Sequence, residues 1–233
     1  MLLKIGKLIL GKRPIVCAVA QDRFAPSALK KLKSTGIQLV EVRVDQFRKL
    51  DIGYIQEKIL QLKKFGFTIL LTVRDRKEGG EAKLSASERL AIFRTCGKLA
   101  DAIDIELNSA ICRKVIQFAK AHKKKTVVSF HDFRKTPPNE RLNSYVKRAK
   151  SAGADIAKIA CFAKDKSDLS RLLQFTVNCI HQNVIVIAMG KAGSVSRTLF
   201  PLCGSLVTYG FTGKSSAPGQ PSAFQLAKFF HRS

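Results

Sequence analysis

One lysine lies in a stretch of sequence that is predicted to be a buried strand. Lys158 is in the middle of residues 155–161, whose β-branched and small apolar side chains are typical of an interior strand. Burial without a counter-charge disfavours the ammonium form, and a neutral lysine amine can attack a ketone or aldehyde to form a Schiff base. Two structural alternatives are a core lysine paired with a carboxylate and a strand edge with Lys158 in water. Lys158 is therefore a candidate nucleophile whose role depends on its surroundings.

Further polar side chains lie at or just beyond the ends of predicted strands. Glu41 and Arg43 are two residues apart in one strand, so both point to one face, and Arg74 and His131 each end a strand. The other members of this set, which follow the last two strands, are Arg197, Ser215, Ser216 and Gln220. Each has a structural alternative: an ion pair, a helix cap or a plain turn. Their common position at strand ends predicts that they meet in one site.

Strands that alternate with helices would position these residues. The predicted strands cover residues 15–20, 39–45, 68–74, 102–107, 126–133, 156–162, 184–189 and 206–211, and a helical pattern follows each one. Such alternation predicts a parallel sheet with right-handed crossovers, and eight units predict a closed (β/α)₈ TIM barrel, in which active sites lie at the carboxyl ends of the strands. We therefore predict an α/β protein with a single catalytic domain over residues 1–233, in which residues 2–10 form a hairpin or capping strand. A doubly wound sheet is the alternative, but no Gly-x-Gly-x-x-Gly follows the first strand.

The composition is strongly basic. There are 42 lysine and arginine residues against 17 acidic ones, a formal net charge of +25. A nucleic-acid partner is one explanation, but the basic residues are scattered and aromatic residues are not interleaved with them. We therefore expect no specific nucleic-acid partner, and a solvated basic surface that attracts small anions.

The remaining composition predicts a cytoplasmic protein. No apolar run approaches the roughly 20 residues that cross a bilayer, and the first residues are too often interrupted by lysine for a signal peptide, so we expect no membrane partner. The six cysteines form no Cys-x-x-Cys pair and the four histidines form no metal-binding spacing. We predict buried thiols and no metal.

Six short segments, in order along the chain, resemble those of a known family. They are Glu41-Val-Arg-Val-Asp45, Asp104-Ile-Glu-Leu107, Ser129-Phe-His-Asp-Phe133, Ala157-Lys-Ile-Ala160, Met189-Gly-Lys-Ala-Gly-Ser-Val-Ser-Arg197 and Ser216-Ala-Pro-Gly-Gln220. Together they resemble type I 3-dehydroquinate dehydratase, a (β/α)₈ lyase of the shikimate pathway of aromatic amino acid biosynthesis. The resemblance covers nearly the whole chain, from about residue 15 to residue 230.

The resemblance implies a catalytic role for three residues. Lys158 forms an imine with the ketone of 3-dehydroquinate, and His131 acts as general base and then returns its proton to the leaving hydroxyl. Glu78 matches the carboxylate that orients the histidine. Hydrolysis of the imine then releases 3-dehydroshikimate, so no metal or organic cofactor is expected.

The resemblance also implies a set of substrate-binding residues. Arg197 matches the arginine that holds the substrate carboxylate, a role suited to a guanidinium group. The others are Glu41, Arg43 and Arg74 around the ring hydroxyls, Met189 and Tyr209 in the wall, and Ser216, Ala217 and Gln220 in a lid. Because many relatives are dimers, we expect a homodimer. The sequence departs from some relatives at Cys17 and Ala18, where they offer a serine, and in its basicity.

Two other functions remain open from the sequence. Another Schiff-base barrel enzyme, such as a class I aldolase, would share Lys158 and the fold but would cleave a carbon–carbon bond. A basic barrel that has lost catalysis and binds RNA or another polyanion is favoured by the net charge of +25, and the retained Lys158, His131, Glu78 and Arg197 argue against it.

Overall fold

The predicted barrel strands are present and parallel. The computed structural model describes residues 3–213 and 220–231. The strands in these ranges are β1 Lys4–Ile5, β2 Leu8–Ile9, β3 Ile15–Ala20, β4 Leu39–Arg43, β5 Thr68–Thr72, β6 Ala102–Glu106, β7 Lys125–Asp132, β8 Ile156–Phe162, β9 Val184–Met189 and β10 Val207–Phe211. Eight of them form one sheet in the order β10-β3-β4-β5-β6-β7-β8-β9. The N–H of Leu206 donates to the carbonyl of Val184 at 2.9 Å, which brings β10 beside β9 and nearly closes the barrel.

A helix follows each barrel strand within the described ranges. The helices are α1 Pro26–Ser34, α2 Ile52–Lys64, α3 Ala86–Cys96, α4 Cys112–Ala121, α5 Asn139–Ala152, α6 Lys166–Asn178, α7 Ser196–Leu202 and α8 Ala223–Phe230. Local signals set their ends: Ser85 and Glu88 form a capping box at the start of α3, and Gly153 ends α5 with a φ of 98°. The predicted (β/α)₈ fold is thus confirmed. Among the described residues, no helix has the length and apolar character needed to cross a membrane.

The second barrel strand is shorter than the predicted 39–45. It ends at Arg43, and Val44–Gln46 form a 3₁₀ turn. The cause is the Asp45 carboxylate, which accepts two hydrogen bonds from the Arg43 guanidinium and one from the backbone N–H of Arg74 at 3.1 Å. This contact draws the chain out of the sheet. It joins residues 29 apart in sequence, so the local periodicity that predicts strands contains no information about it.

The core has two apolar layers, one outside and one inside the barrel. Along β8, Ala157, Ile159 and Cys161 pack toward the helices, whereas Ile156 and Ala160 face the interior. The predicted N-terminal hairpin is formed by β1 and β2, and its apolar residues Ile5 and Leu8 join the inner layer together with the following Leu10. The inner layer is apolar near the hairpin, and polar side chains occupy the carboxyl ends of the strands. A site is therefore expected at that end.

Candidate active site

Lys158 is buried inside the barrel with carboxylates beside it. Its side chain is 6% exposed, and its Nζ lies 3.1 Å from Asp104 Oδ2 and 3.9 Å from Glu41 Oε1. The ring of Tyr209 is also close, with its centroid 4.2 Å from Nζ. Of the possibilities left open by the sequence, the structure has a core lysine with a counter-charge, because the interior supplies two carboxylates. Lys158 therefore forms the ion pair expected of a structural core lysine, and it also lies inside the barrel, where active sites of this fold are found.

His131 and Glu78 form a hydrogen-bonded pair above the barrel. Glu78 Oε2 lies 3.0 Å from His131 Nδ1 and accepts the backbone N–H of His131 at 3.1 Å. Burial lowers the pKa of His131 well below its ordinary value, and the charges of Arg74 and Lys158 lower it further. The imidazole is thus neutral at neutral pH. When its Nδ1 donates to an ionised Glu78, Nε2 has a free lone pair that can accept a proton.

The position of Glu78 depends on a tight turn after β5. Residues Arg76–Glu78 form a 3₁₀ turn that Asp75 caps by accepting the N–H of Lys77, and Gly79 follows at a φ of 85°. A Cβ at Gly80 would lie 2.1 Å from the carbonyl oxygen of Arg74, so this close backbone approach requires glycine. Burial raises the pKa of Glu78 to about 7, against the opposing charge of Arg74.

Arg74 is engaged by protein groups on the next two strands. Its Nη2 donates to Asp104 Oδ1 at 2.8 Å, and its Nη1 donates to Ser129 Oγ at 2.7 Å and to Glu106 Oε1 at 3.1 Å. Arg43 likewise holds Asp45 through two hydrogen bonds. Both arginines lie at the candidate site, but their guanidinium groups are occupied by carboxylates in this structure.

Arg197 differs from the other two arginines because it has no counter-charge. Within the described residues, no carboxylate lies at ion-pair distance from it, and its buried Nε has no hydrogen-bond partner. Burial lowers its pKa to about 10, so it remains charged at neutral pH. The buried hydroxyl of Tyr209 likewise has no hydrogen-bond partner among the residues that the structure describes. A buried guanidinium without an anion is costly, and such a group is suited to bind an anionic ligand.

The predicted site residues surround one cavity. It has a volume of about 90 Å³. Of the predicted residues, those that line it are Glu41, Arg43, Arg74, Glu78, His131, Lys158, Met189, Arg197, Tyr209 and Gln220. The other three, Ser215, Ser216 and Ala217, lie outside the described residues. Among the residues described, no group of histidine, cysteine and acidic side chains is arranged to hold a metal ion.

A larger cleft lies outside the barrel and contains none of these residues. It lies between α4 and α5, has a volume of about 1120 Å³, and is lined partly by Arg113, Lys120, Lys147 and Arg148. Size alone would select this cleft. Only the smaller cavity brings together an amine, an imidazole and an unpaired guanidinium, so it is the better candidate for catalysis.

The sequence interpretation missed four residues that support the site. Asp104 and Glu106 are two apart in β6, Ser129 is in β7, and Arg89 is in α3. The signal for the two carboxylates was present, because the same-face rule that selected Glu41 and Arg43 applies to them. Arg89 gave no signal, since an arginine in a helix is ordinarily solvated. In the structure it is 1% exposed and binds Glu106 Oε2 and the carbonyl of Val73.

Comparison with known proteins decides the family. The profile of the family described as Type I 3-dehydroquinase matches residues 16–233. The chain belongs to the type I 3-dehydroquinase family. A 3-dehydroquinate dehydratase of Aquifex aeolicus (strain VF5) is 35% identical over 226 residues, which cover 94% of this chain and 99% of that protein.

Two solved structures of the type I 3-dehydroquinase family extend the likeness to three dimensions. The 3-dehydroquinate dehydratase from Geobacillus kaustophilus HTA426 is 28% identical, with a TM-score of 0.89 over 100% of this chain and 96% of that one. The type I enzyme from Clostridium difficile, crystallised with covalent modified comenic acid, is 28% identical, with a TM-score of 0.90 over 100% of this chain and 97% of that one. The resemblance inferred from the six segments is thus confirmed.

Proposed function

We propose that this protein is a 3-dehydroquinate dehydratase of the shikimate pathway that acts through a Schiff base on Lys158. The observation that carries the proposal is one cavity lined by a buried lysine, a neutral histidine held by Glu78, and the unpaired Arg197. The family supports the substrate, since the relatives are 3-dehydroquinate dehydratases. The covalently modified ligand in the Clostridium difficile relative supports a covalent intermediate.

The proposed reaction begins at the amine. Lys158 first gives a proton to His131, and its neutral amine adds to the ketone; the proton then returns to the oxygen of the adduct, which leaves as water, so the imine carries the positive charge on its nitrogen. The imine withdraws electrons from the neighbouring carbon, and His131 takes a proton from that carbon to leave a neutral enamine. The enamine then expels the adjacent hydroxyl, to which His131 returns its proton. Water hydrolyses the resulting iminium, which frees the product and restores the Lys158 ammonium.

The substrate-binding roles follow from charge and position. Arg197 binds the substrate carboxylate, because it is the cation of the cavity that no described carboxylate neutralises. Glu41 and Arg43, which line the cavity with Lys158 and Glu78, bind ring hydroxyls, and Arg74 is part of the same lining. Met189 and Tyr209 form the wall. Gln220, with Ser216 and Ala217 a few residues before it in the sequence, is assigned to a lid that excludes water and protects the imine from hydrolysis.

We further propose that one cytoplasmic catalytic domain spans the chain and that two copies associate as a homodimer. Support for the homodimer comes from three exposed apolar side chains near the ends of α6 and α7, Val177, Ile180 and Leu202, which are 49%, 49% and 54% exposed. The last turns of α6 and α7 carry no basic residue. Like charges repel across an interface, so in a protein of net charge +25 such side chains are suited to self-association.

The test of the proposed function compares wild type with Lys158→Ala. The product is a conjugated enone, so ultraviolet absorbance follows the reaction, and borohydride added with substrate should reduce an adduct onto the Lys158 peptide. We expect Lys158→Ala to keep its fold and lose turnover. Lys150→Ala, which removes a half-buried lysine that binds the carbonyl of Asp155, is the matched control and should retain activity. Turnover by Lys158→Ala, or no added mass on that peptide, would contradict the proposal.

A further inference from the structure

Asp104 is the carboxylate most directly placed against the reacting nitrogen. Its Oδ2 accepts a hydrogen bond from Lys158 Nζ at 3.1 Å. Its other oxygen, Oδ1, is held by Arg74 Nη2 at 2.8 Å and by the hydroxyl of Ser129 at 2.7 Å. One oxygen is thus fixed by the protein and the other is directed at the amine. Ser129 and Lys158 are paired in the register of β7 and β8, so the orienting hydroxyl and the amine are at one level of the barrel.

Asp104 also lies on the protein side of the lysine. It is completely buried and is not among the residues that line the cavity, whereas Glu41 lines the cavity and is farther from Nζ, at 3.9 Å. Glu41 is therefore accessible to a bound ring hydroxyl. Asp104 stays beside the nitrogen when substrate occupies the cavity. Although burial by itself raises the pKa of Asp104, Arg74 and Lys158 hold that pKa well below its usual range, so Asp104 remains ionised.

We propose that Asp104 is the counter-ion of the protonated imine on Lys158 and is a catalytic residue of the reaction. This inference rests on the Schiff base proposed above. From ammonium and ketone to iminium and water no net proton is released, so a positive charge lies beside Asp104 Oδ2 before the amine is deprotonated for attack and again once the iminium has formed. A neutral imine would be a weaker electron sink. The carboxylate keeps the imine protonated and thereby keeps the neighbouring carbon acidic.

Other charged and titratable groups also face the nitrogen, and their effects differ from that of Asp104. They come from β3, β4, the segment after β5, β7 and β10, and are Cys17, Glu41, Arg74, His131 and Tyr209. Arg74 is positive. His131 is neutral until it takes the substrate proton. Burial raises the pKa of both Cys17 and Tyr209 well above their ordinary values, so these two are neutral. Glu41 is the second anion, and it is the natural comparison.

The test measures the protonation state of the imine. Cyanoborohydride reduces the protonated imine and leaves the neutral form, so the rate at which 3-dehydroquinate is trapped on Lys158 reports the protonated fraction. Intact mass measured between about pH 6 and pH 9 gives the pH midpoint of trapping. In Asp104→Asn we expect that midpoint to fall by at least one pH unit and kcat to fall at least about 100-fold. In Glu41→Gln, KM should rise while the midpoint changes little.

A second variant covers the case in which Asp104→Asn does not fold. Ser129→Ala removes one of the two groups that fix Oδ1 and leaves the carboxylate in place, so it should shift the midpoint in the same direction by less and lower kcat about tenfold. Circular dichroism establishes that each variant is folded. If wild type is never trapped, the Schiff base itself fails. If wild type is trapped and neither Asp104→Asn nor Ser129→Ala shifts the midpoint, Asp104 is not the counter-ion.

Discussion

The His131–Glu78 pair links a proton acceptor to a carboxylate with a raised pKa. Above about pH 7, Glu78 is ionised and accepts the Nδ1–H of His131, which leaves Nε2 ready to take a proton. Below that pH, Glu78 gains a proton and no longer favours this tautomer. Because burial keeps the pKa of His131 far lower, the histidine remains neutral through this range. We therefore assign the fall of kcat at acidic pH to protonation of Glu78.

We predict that kcat of wild type falls as pH is lowered through about 7, with the slope of a single proton. Glu78→Gln is neutral at every pH, so its profile should be flat there, with kcat about 100-fold lower at pH 8. Steady-state kinetics across the pH range provide the measurement. The control is Glu81→Gln, three residues along the chain from Glu78. It alters an exposed carboxylate that accepts a hydrogen bond from Gln46, and it should keep the wild-type profile. An unchanged acid limb in Glu78→Gln would assign that limb to another group.

Substitution of Arg197 should increase the stability of the fold and weaken substrate binding, as is typical of a residue kept for function. Removing a buried charge without a counter-charge stabilises the fold, so we predict that Arg197→Met raises the free energy of unfolding by about 1–3 kcal/mol. The same change should raise KM about 100-fold, because the substrate carboxylate loses its partner. Urea unfolding and steady-state kinetics measure the two effects. The control Arg113→Met, on the outer cleft, should change neither the free energy of unfolding nor KM. If Arg197→Met is less stable than wild type and has a normal KM, Arg197 has a structural role and does not bind the substrate.

At the scale of elements, the strands were predicted well where they are continuous apolar runs. The predicted strands 15–20, 156–162 and 184–189 have the observed bounds, since a strand buried on both faces has a composition that propensity recognises. Side-chain contacts between distant residues were not predictable in this way. The end of β4 depends on Asp45 binding Arg74, and the surroundings of Lys158 depend on Asp104, 54 residues away on a strand that is not its neighbour.

The same argument explains which parts of the site could be predicted. Five site residues could be predicted from their type and their position at or beyond a strand end, because the barrel brings all strand ends together. They are Glu41, Arg43, Arg74, His131 and Arg197. Whether a given arginine is paired with a carboxylate depends on contacts inside the folded barrel. By residue type and position alone Arg43, Arg74 and Arg197 are alike. The resemblance singles out Arg197, and the structure gives the physical reason, since Arg43 and Arg74 are paired with carboxylates.

Arg89 joins α3 to the strands beneath it, and we predict that it is needed for stability. Its guanidinium binds Glu106, Asp75 and the carbonyl of Val73, so Arg89→Met leaves a buried carboxylate without part of its charge balance. The loss should be about 3–5 kcal/mol in the free energy of unfolding, measured in urea. Arg94→Met, on the exposed side of the same helix, should change it by less than about 0.5 kcal/mol.

A double variant separates the ion pair from simple loss of packing. If the Arg89–Glu106 contact carries the effect, Arg89→Met combined with Glu106→Gln should cost less than the sum of the two single changes, because the unpaired carboxylate is removed. Strict additivity would assign the loss to packing of the arginine stem.

For the whole molecule, the net charge of +25 is far larger than the chemistry of the site requires. The proposed substrate is a carboxylate anion, and a positive field raises the local concentration of anions and their rate of encounter. The exposed Lys191, in the turn between β9 and α7, lies at the carboxyl ends of the strands where the cavity opens. Lys147 is also exposed, on α5, in the outer cleft. The two lysines allow local steering to be separated from total charge.

We predict that kcat/KM falls about threefold as salt is raised from about 20 mM to about 500 mM, while kcat changes little, because salt screens the approach of the anion and not the chemistry of the enclosed site. Lys191→Glu should lower kcat/KM at low salt about twofold and Lys147→Glu less, although both change the net charge by the same amount. Stopped-flow or steady-state assays at several salt concentrations measure this. Equal effects of the two substitutions would show that total charge, and not its position at the cavity, governs encounter. A kcat/KM independent of salt would leave the basic surface without a role in substrate capture.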